Sequence, residues 1–322
     1  MTASRNRRPP HLADRRAVSA WIALTALGLA GCLTGCDRRE AEKPYQPGYD
    51  KQSAMQTGVV YVLAVHPLHN PKRLFEVYAP LIDYINARLK GASLRLEASS
   101  SYAAFEEKMA RRELHFCLAN PYQTIAGVAM GYHVFAKMGD DDNFRGVILV
   151  RKDSGIVRVD QLVGKIVSYP APTALAAAIM PQWFLHEHGI NVMRDIDNRY
   201  VGTQESSIMN VVLGKSAASA TWPLPWRAFQ KEHPDLASQI EVRWETPPLV
   251  NNAMTARDNL PAPIVQQVGA LLAGLHTSGE GQAILARMAL SRFEIANDAT
   301  YEPVRTFVRR FEAEVRPVKP RS

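Results

Sequence analysis

The chain is poor in the residues that build covalent frameworks and reactive centres. Its 322 residues hold three cysteines, and two of them, Cys32 and Cys36, fall within the first 36 positions. Cys117 is then the only thiol left for a folded body, so an internal disulfide framework is excluded there and stability must come from a core. Cys117 stands in the apolar string Leu114-His115-Phe116-Cys117-Leu118, the setting of a small buried hydrophobe rather than of a nucleophile. The sequence has no G-x-S-x-G, no H-E-x-x-H, no phosphate-binding loop and no dinucleotide fingerprint. These absences argue against an enzyme. Basic stripes interleaved with aromatic residues are missing as well, which removes the footprint of nucleic-acid binding. The formal net charge of +7 misleads on this point: Arg5, Arg7, Arg8, Arg15 and Arg16, less Asp14, contribute +4 of it and leave +3 for the rest.

What is present at the start is an export pattern. The basic cluster Arg5 to Arg16 precedes an apolar segment, residues 17–29, that is interrupted by Ser19, Thr25 and Gly28 and is too short to span a bilayer as a mature helix. Leu33-Thr34-Gly35-Cys36 follows and resembles the bacterial lipobox, whose cysteine is acylated and becomes the membrane anchor. Leu29-Ala30-Gly31-Cys32 is a second match, so Cys32 is the alternative to Cys36. The resemblance implies a lipoprotein signal peptide over residues 1–36. Asp37, directly after Cys36, resembles the signal that retains lipoproteins in the inner membrane. Residues 37–58 are charged, contain Pro44, Pro47 and Gly48, and lack apolar periodicity, so they are expected to form a flexible tether.

The body beyond it alternates. Val59 to Val65 is a continuous β-rich apolar run of the kind a doubly buried strand needs. Leu74, Val77, Tyr78, Leu81, Ile82, Ile85 and Leu89 recur at helical spacing, predicting an amphipathic helix over 71–90. A strand over 93–98, a helix over 102–112 and a strand over 114–118 complete a β-α-β-α-β unit. The pattern restarts with strands near 147–151 and 165–168, a helix over 173–188, a strand over 199–201, a helix over 205–213 and a strand over 217–221. Past Trp222 the chain is punctuated by prolines. A strand over 240–244 is followed by one over 251–256 that returns to the first unit, and the tail over 261–315 is helical and expected to cover that unit. The fold class is therefore α/β, with two lobes, each a mostly parallel sheet flanked by helices. Lobe 1 is discontinuous, 59–147 and 248–322, and lobe 2, 148–247, is inserted.

Several strings occur in an order that resembles one family. They are Pro80-Leu81-Ile82-Asp83-Tyr84-Ile85, Ser101-Tyr102, Asn120-Pro121-Tyr122, Arg151-Lys152-Asp153-Ser154-Gly155-Ile156, Leu162-Val163-Gly164-Lys165, Pro247-Pro248-Leu249-Val250-Asn251-Asn252 and Arg257-Asp258-Asn259-Leu260-Pro261. Over 59–316 the chain resembles the phosphate, phosphite and phosphonate-binding receptors of bacterial ABC importers, which are type II periplasmic binding proteins. The resemblance implies a substrate-binding protein with no catalytic step and no cofactor, holding a small, anionic, phosphonate-like ligand in a cleft at the hinge. It also implies an ABC permease in the inner membrane as partner, a monomer, and a location on the periplasmic side. Tyr102 and Tyr122 match cleft positions, Thr173 matches the helix start that holds the oxyanion, and Gln204 stands where the family commonly has histidine. Two departures, Gln204 itself and the lack of an acidic residue near Ala217-Ala218-Ser219, argue against an aminophosphonate, and a third, the single hydroxyl at Pro172-Thr173-Ala174-Leu175, allows a less charged solute. A receptor that senses a non-phosphonate ligand and signals to a membrane kinase or other partner is the competing function. No metal site is expected: His66 and His69 lie on a loop without a companion carboxylate or cysteine, and His186 and His188 point to different faces of a helix.

Overall fold

A computed structural model describes residues 58–318. The proposed leader, Cys32, Cys36, Asp37 and all of the tether before residue 58 lie outside the described residues. Among the described residues no helix is long and apolar enough to cross a membrane.

The body opens with β1 (Val59–Val65), α1 (Pro71–Asn86), β2 (Ala92–Ala98), α2 (Tyr102–Ala110), β3 (Phe116–Ala119), α3 (Pro121–Ala129) and β4 (Tyr132–Met138). The apolar face anticipated on α1 is buried from Leu74 to Ile85. Asn70 caps the helix by accepting from the Arg73 N–H, and Pro71 occupies the first turn, where a missing N–H costs nothing. β1 pairs in parallel with β2 and β3. The helix α3 and the strand β4 are additions to the sequence-based outline.

The chain then crosses to a second sheet through residues 139–146. That sheet contains β5 (Val147–Arg151), β6 (Ile166–Tyr169), β7 (Asp197–Tyr200), β8 (Ala218–Thr221) and β9 (Ile240–Glu245), in the order β7-β6-β8-β5-β9. Between β6 and β7 lie a π turn, Leu175–Ile179, and α4 (Met180–Glu187); α5 (Gln204–Val212) joins β7 to β8. The predicted helix over 173–188 is thus a π turn running into α4. The proline-rich stretch after Trp222 is helical, α6 (Pro223–Glu232) and α7 (Pro234–Ala237), because Pro223 and Pro234 each stand at a helix start.

The return passage runs from Thr246 to Asn252, and the two crossings pair: the Gly146 N–H donates to Thr246 Oγ1 at 2.9 Å and the Thr246 N–H donates to the Gly146 carbonyl at 2.9 Å. β10 (Ala253–Arg257) then enters the middle of the first sheet, antiparallel to both β3 and β4, giving the order β11-β4-β10-β3-β1-β2. α8 (Ala262–Gly274) and α9 (Gly279–Arg287) lead to β11 (Phe293–Ile295), which pairs antiparallel with β4. Both sheets are therefore mixed rather than mostly parallel. The reason is the crossing: β3 and β4 end at the hinge, so a strand re-entering from the hinge must run the other way.

The tail divides its attention. α8 and α9 bury Val265, Val268, Leu272, Ile284 and Leu285 in the core of the first sheet. α10 (Glu302–Glu314) instead shares a core with α4 and the π turn, with Phe307 meeting the Trp183 ring edge-on at 5.8 Å. Just past α10, the Arg316 Nε donates to Gln182 Oε1 at 2.8 Å and its Nη2 to the Pro172 carbonyl at 3.1 Å. Burial holds the Arg316 pKa below the usual arginine range.

Candidate ligand site between the two sheets

Both sheets turn the carboxyl ends of their parallel strands toward the same gap, the position where open α/β sheets bind ligands. His66 follows β1, Tyr102 begins α2 after β2, Asn120 follows β3 and Asn252 precedes β10. From the second sheet come Ala174 to Ala177 after β6, Gln204 after β7 and Trp222 after β8, with Phe144 on the crossing. The space between these side chains is narrow, on the order of one water-sized sphere.

Each polar group is held by a local device. Ser101 caps α2 by accepting from the Ala104 N–H at 3.1 Å, which places Tyr102 in the first turn. Asn120 caps α3 in a capping box: its Oδ1 accepts the N–H groups of Tyr122 at 2.9 Å and Gln123 at 3.2 Å, and Gln123 Oε1 accepts the Asn120 N–H at 3.3 Å. That arrangement commits the oxygen and leaves the buried Asn120 Nδ2 without a hydrogen-bond partner. Thr203 caps α5 by accepting from the Ser206 N–H at 3.0 Å, and Ser207 Oγ donates to the carbonyls of Ser168 and Ala220, pinning α5 to β6 and β8. Gln204 is thereby fixed at the gap.

Gln204 joins the two sheets. Its Oε1 accepts from Thr221 Oγ1 at 2.8 Å and its Nε2 donates to the Tyr102 hydroxyl at 3.2 Å. Tyr102, Gln204 and Thr221 are all buried. Burial raises the Tyr102 pKa, so the phenol stays protonated and keeps its own proton to donate. His66 is 2% exposed, and its Nδ1 lies 3.1 Å from the Leu118 carbonyl. A carbonyl only accepts, so Nδ1 carries the proton and Nε2 is a bare acceptor. Burial lowers the His66 pKa to about 4. Asn252, fully buried, has its Nδ2 3.6 Å from Met138 Sδ and its Oδ1 unpartnered. Phe144 and Trp222 meet edge to face at 5.3 Å and form an apolar wall.

The π turn contributes backbone. Ala174 is its N-cap and supplies no side-chain bond. The N–H groups of Leu175, Ala176 and Ala177 belong to the first turn, which has no carbonyl behind it to bond, and they carry the positive end of the helix dipole toward the gap.

Of the four residues singled out in the sequence, the structure brings Tyr102 and Gln204 into direct contact. Thr173 lies beside Tyr102 on an adjoining opening lined also by Ser101, Glu106 and Tyr200; it is not the cap of the following helix. Tyr122 is buried in the core that includes Phe311 and Leu175, and burial raises its pKa. Sequence reasoning did not select His66, Asn120 or Asn252 for the site, although Asn-Pro-Tyr and the Asn251-Asn252 pair were visible as strings. The signal was there in Asn120, a capping residue followed by proline directly after a strand. Among the described residues no group of three or more His, Cys, Asp or Glu is placed to hold a metal ion.

A family model described as "ABC transporter, phosphonate, periplasmic substrate-binding protein" matches residues 63–301. No curated protein sequence matches the chain. Among solved structures, a binding protein component of an ABC phosphonate transporter from Pseudomonas aeruginosa is 13% identical with a TM-score of 0.72, covering 78% of this chain and 85% of that one. PhnD1 from Prochlorococcus marinus, solved in complex with methylphosphonate, is 17% identical with a TM-score of 0.72, covering 79% and 98%. A Xanthomonas citri protein solved bound to chloride ion is 16% identical with a TM-score of 0.66, covering 80% and 99%. At these identities the likeness is one of fold.

Proposed function

Because the chain belongs to the periplasmic substrate-binding proteins of phosphonate ABC transporters, we propose that it captures a small phosphonate-like oxyanion between its two lobes and hands it to a permease. The carrying observation is the hydrogen-bonded series Tyr102, Gln204, Thr221, which joins one lobe to the other at a gap edged by unpaired donors. A ligand that meets Asn120 Nδ2 on one side and the amides of Leu175 to Ala177 on the other touches both lobes. It therefore favours their approach, and hinge closure follows as a shift of population. The paired crossings at Gly146 and Thr246 are the proposed pivot, with lobe 1 formed by 59–147 and 248–322 and lobe 2 by 148–247. Binding is by neutral donors, as the lining contains no lysine or arginine.

Anchoring is part of the same proposal. Acylation at Cys36, followed by Asp37, would keep the receptor on the periplasmic face of the inner membrane beside its permease. Mass spectrometry of the mature protein identifies the acylated residue; a lipid on Cys32 would overturn the Asp37 argument. A thermal-shift screen against phosphate, phosphite, methylphosphonate and neutral metabolites tests the ligand class, since a ligand of the folded form raises Tm. A shift with neutral metabolites alone would refute the oxyanion reading.

A further inference from the structure

We propose that the gap selects an oxyanion still carrying one proton, a singly charged phosphonate with a small apolar substituent, and rejects both its doubly charged form and the isosteric sulfonate. This rests on the receptor reading above and narrows it.

The first ground is charge. No lysine, arginine, aspartate or glutamate lines the gap. A second negative charge brought into this space finds no cation to offset its lost hydration.

The second ground is the hydrogen-bond inventory. Donors face the gap from Asn120 Nδ2, Tyr102, and the first-turn amides of the π turn. Acceptors face it as well. Asn252 Oδ1 is buried and unpartnered, and its identity as oxygen follows from its twin: Nδ2 points at Met138 Sδ, and turning the amide over would set oxygen against sulfur. His66 Nε2 is the second acceptor, because Nδ1–H is committed to the Leu118 carbonyl. A fully deprotonated phosphonate and a sulfonate present lone pairs alone. Either would satisfy the donors and leave Asn252 Oδ1 and His66 Nε2 against more acceptors. A phosphonate with one P–OH group offers a proton to one of them. A site built to hydrogen-bond a substrate hydroxyl rejects the analogue that lacks it far more strongly than an apolar pocket rejects an extra group.

The Phe144 and Trp222 rings supply the apolar wall for the carbon substituent.

The range over which this is read is set by the surroundings. His66 and Tyr102 are the titratable groups of the lining; His66 faces the Tyr102 ring, with His69 and Arg73 beyond it, and Glu106 acts on Tyr102 from α2. With His66 held at about 4 and Tyr102 raised, the lining keeps its charge from about pH 5 to about pH 9 while the ligand loses its second proton.

The experiment is calorimetric titration of the full body, residues 37–322, with methylphosphonate and with methanesulfonate across that range. The expected result is an affinity for methylphosphonate that is flat at low pH and falls about tenfold per pH unit above the ligand's second pKa, with methanesulfonate independent of pH and weaker by about 10- to 100-fold on the low-pH plateau. An affinity that climbs with pH to a plateau, or equal binding of methanesulfonate at low pH, overturns the proposal and leaves the receptor reading standing. No heat from methylphosphonate, phosphite or phosphate at any pH overturns both. Asn252→Ala serves as a second probe: it should narrow the preference for methylphosphonate over methanesulfonate, and an unchanged preference counts against the acceptor.

Discussion

Tyr102→Phe removes the hydroxyl that links the lobes and that also faces the ligand. The substitution keeps the ring, and with it the edge-on packing against His66 at 6.0 Å, but removes the oxygen that accepts from Gln204 Nε2. Gln204 cannot turn to compensate, because Thr221 Oγ1 holds its Oε1 at 2.8 Å. Tyr102 and Gln204 are each 4% exposed, so water does not readily replace the lost partner while the lobes are together. Stranding a buried neutral donor costs about 1–3 kcal/mol. Separation of the lobes re-solvates that donor, so the cost falls on the closed form and weakens the apparent affinity by the fraction of closed form lost, about 5- to 150-fold. Calorimetric titration with methylphosphonate measures this, and small-angle scattering reports whether the ligand-free protein has become more open. Tyr122→Phe is the control: its hydroxyl has no hydrogen bond among the described residues, and affinity should change less than about twofold. If Tyr102→Phe binds as tightly as the unaltered protein, the bridge contributes nothing to closure and the reasoning fails.

Three further outcomes follow from other parts of the molecule. A methyl group on Gly146 would come within 2.8 Å of the Ala176 carbonyl and of Pro181; Gly146→Ala should destabilise by about 1–3 kcal/mol and lower ligand affinity, read by urea unfolding and titration. His66 binds its proton at about 4 in the folded protein against 6.5 when unfolded, so between those values the unfolded chain holds the extra proton. Its contribution to stability is present above pH 6.5 and is lost as the pH falls toward about 4. This amounts to roughly 3 kcal/mol, visible in urea midpoints and reduced in His66→Gln. Cys117 is fully buried with its pKa raised by that burial, so a thiol reagent should label it at the rate of unfolding and not before.

The sequence made legible those elements whose apolar residues repeat cleanly. β1 and α1 emerge because Val59 to Val65 and the Leu74 to Ile85 face follow single, uninterrupted periods. Prolines concealed others: Pro223 and Pro234 read as punctuation, yet in a first turn proline is permitted, and both start helices. The helix α3 was hidden by Gly127, whose lack of a side chain is needed for the close approach of Met109, and β4 by His133 and Lys137, which break its apolar run. For the site, Tyr102 and Gln204 were legible through positions after strands, but their mutual contact was not, since they are separated by 102 residues. The orphaned atoms of Asn120 and Asn252 are consequences of what their other atoms bond, and no local pattern announces that.

The central position of β10 bears on the order in which the molecule is made. The first sheet is begun at Val59, yet the strand that fills the space between β3 and β4 is Ala253–Arg257, on the far side of the whole second sheet. Until that strand arrives, β3 and β4 present unpaired edges to one another and their core lacks Met254 and Ala256. A growing chain therefore cannot finish its first lobe before its second has been synthesised. The first sheet stays open, with exposed edges, until Ala253–Arg257 has been made, so protection of those edges during synthesis falls to factors outside the fold.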